Sequence, residues 1–466
     1  MRQEGNFWSE QAIPQWHSSA ETPWHCHAPF THTPDRWTSS SQLLQHVGAD
    51  PVQLLEASEP ASESGVVGLQ AASAKKRKNR TTCLYLRKAR DARASFRYNV
   101  APPVRVLFVS KPVVPPFDDG SKCLVRDVAG ALKIAEPTVM VSPGAPPLGP
   151  RVRRENVYGV AQRFSPSPAT LALNRLLFGD PLDLWHFVFA PNTASSSGAK
   201  LAIRARRSRG WPGKVVQTVA SRPKSFDGAR SLIFGDRVVA LSEWTRGKLL
   251  QAGVPDSVVR VIPPCVREPA PRHTPSEVRA ALEVGDGPLI VYPGDLHVSS
   301  GAATVALAVG EVLRAVPGAR FVFACRDKGR DVASYEAGLR EALRGLEEYV
   351  RIAGRVDDMH GLLAAADVVA FPVDDLYGKV DLPIVLLESM ALGTPLVLAS
   401  GGPLDELPGE HVPPDDPAAL AEALVRLCRD EAARESLAGV GRETWRARHT
   451  PEVVGAQHDA LYVELC

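Results

Sequence analysis

The stretch Tyr377–Pro395, "YGKVDLPIVLLESMALGTP", decides the reading of this chain. It is mostly apolar and has the look of a core segment. One carboxylate, Glu388, stands in its middle, and Lys379-Val380-Asp381 opens it. Burying such a charge without a partner is costly. Pro383 fits the first turn of a helix, where its missing N–H costs nothing. The helix would turn Ile384, Leu387 and Ala391 inward and end at Gly393. Glu388 then lies a little over one turn in, close to the loop after the apolar strand "DVVAFPV". A carboxylate there can accept two hydrogen bonds from a vicinal diol such as that of a ribose, and the helix start favours a phosphate nearby. The other reading is a Glu that caps or pairs locally. Residue physics alone leaves both open.

Working outward, the decisive stretch belongs to a series. "PLIVYPGDL", "ARFVFACRDK", "VRIAGRV", "DVVAFPV" and "PLVLAS" read as strands, each followed by a helical pattern. An earlier series runs through "VRVLFVS", "DLWHFVFAP", "KVVQTVA" and "DRVVALS". The Pro-rich passage "RVIPPCVREPAPRHTP" separates the two. Alternating strands and helices predict α/β architecture: two Rossmann-like, doubly wound parallel-sheet domains facing across a cleft. The expected divisions are an N-terminal acceptor domain at 103–266 and a C-terminal donor domain at 267–451. A final helix at 452–466 is expected to pack back on the first domain. Ligands of such sheets bind off the carboxyl ends of the strands.

Residues 1–100 differ from the rest. They show no hydrophobic period and are read as a disordered or wrongly assigned extension. His17, His25, Cys26, His27 and His32 match no zinc spacing. Lys75, Lys76, Arg77, Lys78 and Arg80 read as a solvated charge run. The chain of 466 residues carries a net charge of only +2, which is no signature of nucleic-acid binding. Seven dispersed cysteines without a CxxC suggest reduced thiols and a cytoplasmic location. No apolar run reaches the roughly 18 residues of a spanning helix, so any membrane contact is expected to be peripheral.

The segment Glu388-Ser389-Met390-Ala391-Leu392-Gly393-Thr394-Pro395 resembles the retaining, nucleotide-sugar-dependent GT-B glycosyltransferases of glycosyltransferase family 4. "VVALSEWTRGKLLQAGVPDSVVRVIPPCV" resembles that family's inter-domain passage. The resemblance spans about residues 104–466. It implies sugar transfer from a nucleotide-sugar donor to an unidentified acceptor (a glycan, a lipid-linked molecule or a small molecule), with no metal or other cofactor. It makes Glu388 the ribose ligand and Gly354, Arg355 and Val356 the contacts to the base.

Two departures stand out. Val380 occupies the position of the family's first Glu, and Asp381 is the nearest carboxylate to replace it. Asp295 and Ser300 stand near the places of the family's Arg and Lys, so Arg326, Lys328 and Lys379 are the expected cations for the diphosphate. The acceptor is expected beside Asp119, Gly120 and Ser121, with His186 as a base or sugar-orienting group at a strand end. A nucleotide-sugar epimerase, or a catalytically degenerate protein that binds a sugar nucleotide or a partner as a scaffold, are the rival readings on the same fold.

Overall fold

The computed structural model of the protein describes residues 102–117, 119–161, 165–223, 225–296, 299–325 and 332–466. The extension at 1–100, with its His/Cys group and its basic run, lies outside the described residues. So do Arg326 and Lys328.

Two wholly parallel sheets organise the chain. The first contains β1 (Arg105–Ser110), β2 (Glu136–Val141), β3 (Arg153–Asn156), β4 (Leu184–Phe189), β5 (Lys214–Val219), β6 (Arg237–Ala240) and β7 (Val259–Val261), in the spatial order β3-β2-β1-β4-β5-β6-β7. The second contains β8 (Leu289–Tyr292), β9 (Arg320–Phe323), β10 (Val350–Ile352), β11 (Val368–Phe371), β12 (Leu396–Ala399) and β13 (Glu410–Val412), in the order β10-β9-β8-β11-β12-β13. Both are doubly wound. The order reverses beside β1 and β4 in one sheet and beside β8 and β11 in the other, and such reversals open a crevice at the strand ends. Val106, Leu107 and Phe108 are fully buried, as are Val368, Val369 and Ala370. Strands covered on both faces carry the unbroken apolar runs seen in the sequence.

Helices α1 (Gly120–Ala131), α2 (Pro166–Phe178), α3 (Thr193–Arg207) and α4 (Glu243–Gln251) flank the first sheet. The second carries α5 (Pro275–Leu282), α6 (Gly301–Ala315), α7 (Val332–Ala342), α8 (Met359–Ala365), α9 (Ile384–Leu392), α10 (Pro417–Arg429) and α11 (Glu431–Arg448). The final helix, α12 (Pro451–Leu465), returns to α1. Asp459 accepts hydrogen bonds from the backbone N–H groups of Lys133, Ile134 and Ala135 at 2.7, 3.0 and 2.8 Å. It thereby satisfies three donors just beyond the end of α1. Val454, Leu461 and Tyr462 enter the apolar cluster under the first sheet.

The helix of the decisive stretch is α9. Pro383 is its N-cap, with ψ 132°, and Gly393 ends it in the left-handed region with φ 80°. The inward set differs from expectation. Leu386, Leu387, Ser389 and Met390 are the buried residues, whereas Ile384 and Ala391 are only partly covered. The helix is packed between α8, α11 and β12, so no single stripe faces a core. Strand β2, the edge strand β3 and the helices α2 and α3 are additions to the sequence-based elements. Exposed β3 shows why: its residues, Arg-Arg-Glu-Asn, carry no apolar signal.

Candidate functional site

The loops after β1, β8 and β11 converge where the two halves meet. Asp119 caps α1: one carboxylate oxygen accepts from the Ser121 N–H at 2.9 Å, and the Ser121 hydroxyl donates to the same oxygen. Lys111 Nζ lies 2.8 Å from the other. Burial alone pushes the Asp119 pKa up, but Lys111 and Ser121 hold it well below the ordinary carboxylate value. Gly120 follows. A Cβ there would stand 2.7 Å from Val380 Cγ2, so only glycine lets the α1 start approach the loop after β11 this closely.

That loop crosses from the second half to the first. Val380 is 4% exposed and packs into the apolar cluster of the first half. Asp381 is 2% exposed and accepts from Ser242 Oγ at 2.7 Å, at the N-cap of α4. Burial raises its pKa. Arg222 donates to Asp375 at 2.9 Å and lies over the ring of Trp244. The backbone N–H of Trp244 donates to Glu406 Oε1 at 2.9 Å. Lys379 turns back into its own half, where its ammonium meets Asp295 Oδ2 at 2.9 Å. Their side chains are 10% and 0% exposed. The pair joins the two strand ends that flank the reversal in the second sheet.

Glu388 is partly buried, its side chain 19% exposed, and it is held by a neighbour that sequence reading missed. His360, on α8, places Nε2 3.2 Å from Glu388 Oε1. His360 Nδ1 in turn accepts from the Ala270 N–H at 3.1 Å, in the passage joining the halves. The hydrogen bond and charge of Glu388 raise the His360 pKa above its ordinary value. From the first half, Arg126 senses the Glu388 charge. Burial disfavours the Arg126 cation, and its two-pronged pairing with Asp127 at 2.8 and 2.7 Å more than restores it. An Arg on α1 and a His just past the "GRVDD" loop carry no sequence period that marks them.

Some placements correct the expectations. His186 does not reach the cleft. It is 1% exposed, its ring nitrogens lie 2.7 Å from Tyr462 Oη and 2.6 Å from Thr218 Oγ1, and it borders a cavity of about 10 Å³, about the room one water needs. Its side chain points across the face of β4 rather than off the strand end. Asp381 does not replace the first Glu in the cleft, because Ser242 and the packing of Val380 draw it into the join between the halves. Val356 is 8% exposed and belongs to the core of the second half, so only its backbone is available to a ligand. Gly354, at φ 60°, forms the turn after β10, and Arg355 is exposed.

The chain is similar to known proteins over both halves of this fold. Residues 287–430 match the family model described as glycosyl transferases group 1. The chain is 38% identical over 132 residues to a phosphatidyl-myo-inositol mannosyltransferase of Mycobacterium leprae, covering 27% of this chain and 35% of the relative. It is 27% identical over 223 residues to a GDP-mannose-dependent alpha-(1-6)-phosphatidylinositol monomannoside mannosyltransferase of Mycobacterium tuberculosis, covering 45% and 56%. The matches thus span about a third to a half of these relatives. Among solved structures, Anabaena Alr3699/HepE in complex with UDP aligns at a TM-score of 0.62 with 17% identity, over 78% of this chain and 100% of that one. Sucrose-phosphate synthase from Thermosynechococcus elongatus aligns at 0.60 with 19% identity, over 78% and 99%. The chain carries a glycosyl transferases group 1 domain, and its two sheets form the GT-B fold.

Proposed function

We propose that the protein transfers a sugar from a nucleotide-sugar donor to an acceptor hydroxyl, with retention at the anomeric carbon and without a metal. The observation that carries this reading is Glu388. It is a partly exposed carboxylate in the helix that follows the reversal-point strand, with one oxygen held and placed opposite the first half. A ribose diol would donate to it, and the base would lie against the backbone of residues 354–356. Lys379, Arg326 and Lys328 would meet the charge that grows on the departing diphosphate. The diphosphate oxygen would take the acceptor proton as the new glycosidic bond forms on the same face, so no separate protein base is required. Asp119, Gly120 and Ser121 would border the acceptor. The relatives' names support an inositol-bearing acceptor and a peripheral contact with a lipid surface. Among the described residues, no helix is long and apolar enough to cross a membrane.

Glu388→Gln tests the donor assignment, because the amide is nearly isosteric. It should weaken nucleotide binding by about 1.5–3 kcal/mol through loss of charge-assisted hydrogen bonds. Unchanged affinity in calorimetry would sink the ribose role. Chelator treatment should leave turnover intact, and a loss restored by a divalent ion would contradict the metal-free mechanism. Arg326→Ala and Lys328→Ala should each lower kcat more than donor affinity.

A second reading has its own support. Val380 closes the position of the family's first carboxylate, and Lys379 is already matched by Asp295. These suit a protein that binds a sugar nucleotide without turning it over. Slow hydrolysis of the donor in the absence of acceptor separates the two, since a transferase leaks free sugar and a binding protein leaves the donor whole.

A further inference from the structure

The geometry points to His360 as the residue that positions Glu388 for the donor ribose, a role that rests on the donor reading above. Its ring is constrained at both nitrogens. The Ala270 N–H points at Nδ1 from 3.1 Å, so Nδ1 acts as the acceptor and the ring proton resides on Nε2. Nε2, which carries that proton, stands 3.2 Å from Glu388 Oε1. The imidazole is therefore a strut between the passage that joins the halves and the ligand-facing carboxylate.

The strut has a fixed foot. Asp358, the N-cap of α8, accepts from the Gly361 N–H at 3.0 Å. It also accepts from the N–H groups of Arg272 and His273, each at 3.0 Å, and lies 3.0 Å from His273 Nδ1. The start of α8 is thus tied to the same passage twice, through Asp358 and through His360. Among the described residues, Glu388 Oε2 has no hydrogen bond, so His360 holds one oxygen and the other stays free to accept from a ligand. A carboxylate rotating freely about its last bond would meet the two hydroxyls of a diol less often in the right plane. Holding one oxygen removes that freedom before the ligand arrives.

Two substitutions separate the ring's two contacts. Asn at 360 can present an acceptor near the place of Nδ1 but cannot reach Glu388, whereas Gln can present an N–H near the place of Nε2. The test measures binding of GDP and 2′,3′-dideoxy-GDP to the full chain by calorimetry, with UDP and 2′,3′-dideoxy-UDP in parallel. The wild type should prefer the ribonucleotide by about ten- to a hundredfold, the scale of one or two charge-assisted hydrogen bonds. Glu388→Gln should shrink that preference. His360→Asn should shrink it to within about threefold while leaving the dideoxy affinity unchanged, and His360→Gln should keep most of it. A merely structural histidine would lower both affinities together, which overturns the proposal. It is also overturned if Glu388→Gln loses the preference and His360→Asn keeps it. A wild type with no preference for either ribonucleotide overturns the donor reading itself, and the role of His360 with it.

Discussion

Gly120 and Val380 show how much one residue decides at the join between the halves. Where the family places a carboxylate, this chain has an isopropyl group, and that group lies in the core of the other half. Gly120→Ala would put a methyl 2.7 Å from Val380 Cγ2. Val has no flexible end to swing aside, so the clash must move backbone. The substitution should destabilise by about 1–3 kcal/mol, the usual scale of overpacking. Denaturant melts of Gly120→Ala and of Gly120→Ala with Val380→Ala should show recovery in the double variant, because removing the two methyls opens the space. No recovery would mean that the glycine serves something other than this contact. Glu388 was legible because a lone charge in an apolar helix demands a reason. Val380 was legible only as a missing carboxylate, since nothing local says that it crosses to another domain.

Among the elements, α12 makes the clearest pH prediction. His458 and His186 are fully buried, and burial lowers both pKa values, that of His458 to about 4 from 6.5. Groups facing them include Tyr462, Asp459 and the Thr218 hydroxyl. A depressed histidine pKa means that the unfolded chain binds protons which the folded one refuses. Stability is therefore fully present above pH 6.5 and falls as the pH drops toward 4, by on the order of 3 kcal/mol for His458 alone. His449, fully buried and similarly lowered to about 4, adds to the slope from the end of α11. Thermal melts between pH 7.5 and about 5 should show this loss. His458→Gln should flatten the profile, and an equally steep profile in that variant would assign the slope elsewhere. The helix itself was legible at the end of the sequence. Its tie to the turn beyond α1, through Asp459, was not, because the three amides it satisfies lie more than three hundred residues away in the chain.

At the scale of the whole molecule, the loop after β11 clamps the halves together through Ser242–Asp381, Arg222–Asp375 and the seat of Val380. Ser242→Ala removes both the cap of α4 and the donor to a buried carboxylate, and should cost about 1–3 kcal/mol. In a double-mutant cycle with Asp381→Ala, the coupling should lie between about 0.5 and 3 kcal/mol. Additive effects would show that the contact contributes nothing of its own. If the clamp holds the halves close, Arg222→Ala with Asp381→Ala should also raise the radius of gyration in X-ray scattering. The sequence by itself determined the two α/β halves, the passage between them and the lone carboxylate of Glu388 within an apolar helix. Those features follow from local period, from turn residues and from the cost of burying a charge. Only the tertiary structure decided where the charges of the site are directed. Lys379 turned to Asp295, Asp381 to Ser242, His186 to Tyr462, and His360 to Glu388. Each pairing joins residues distant in the chain. A side chain's partner is set by which strand ends and helix starts the doubly wound order brings together, and no pattern within one element records it.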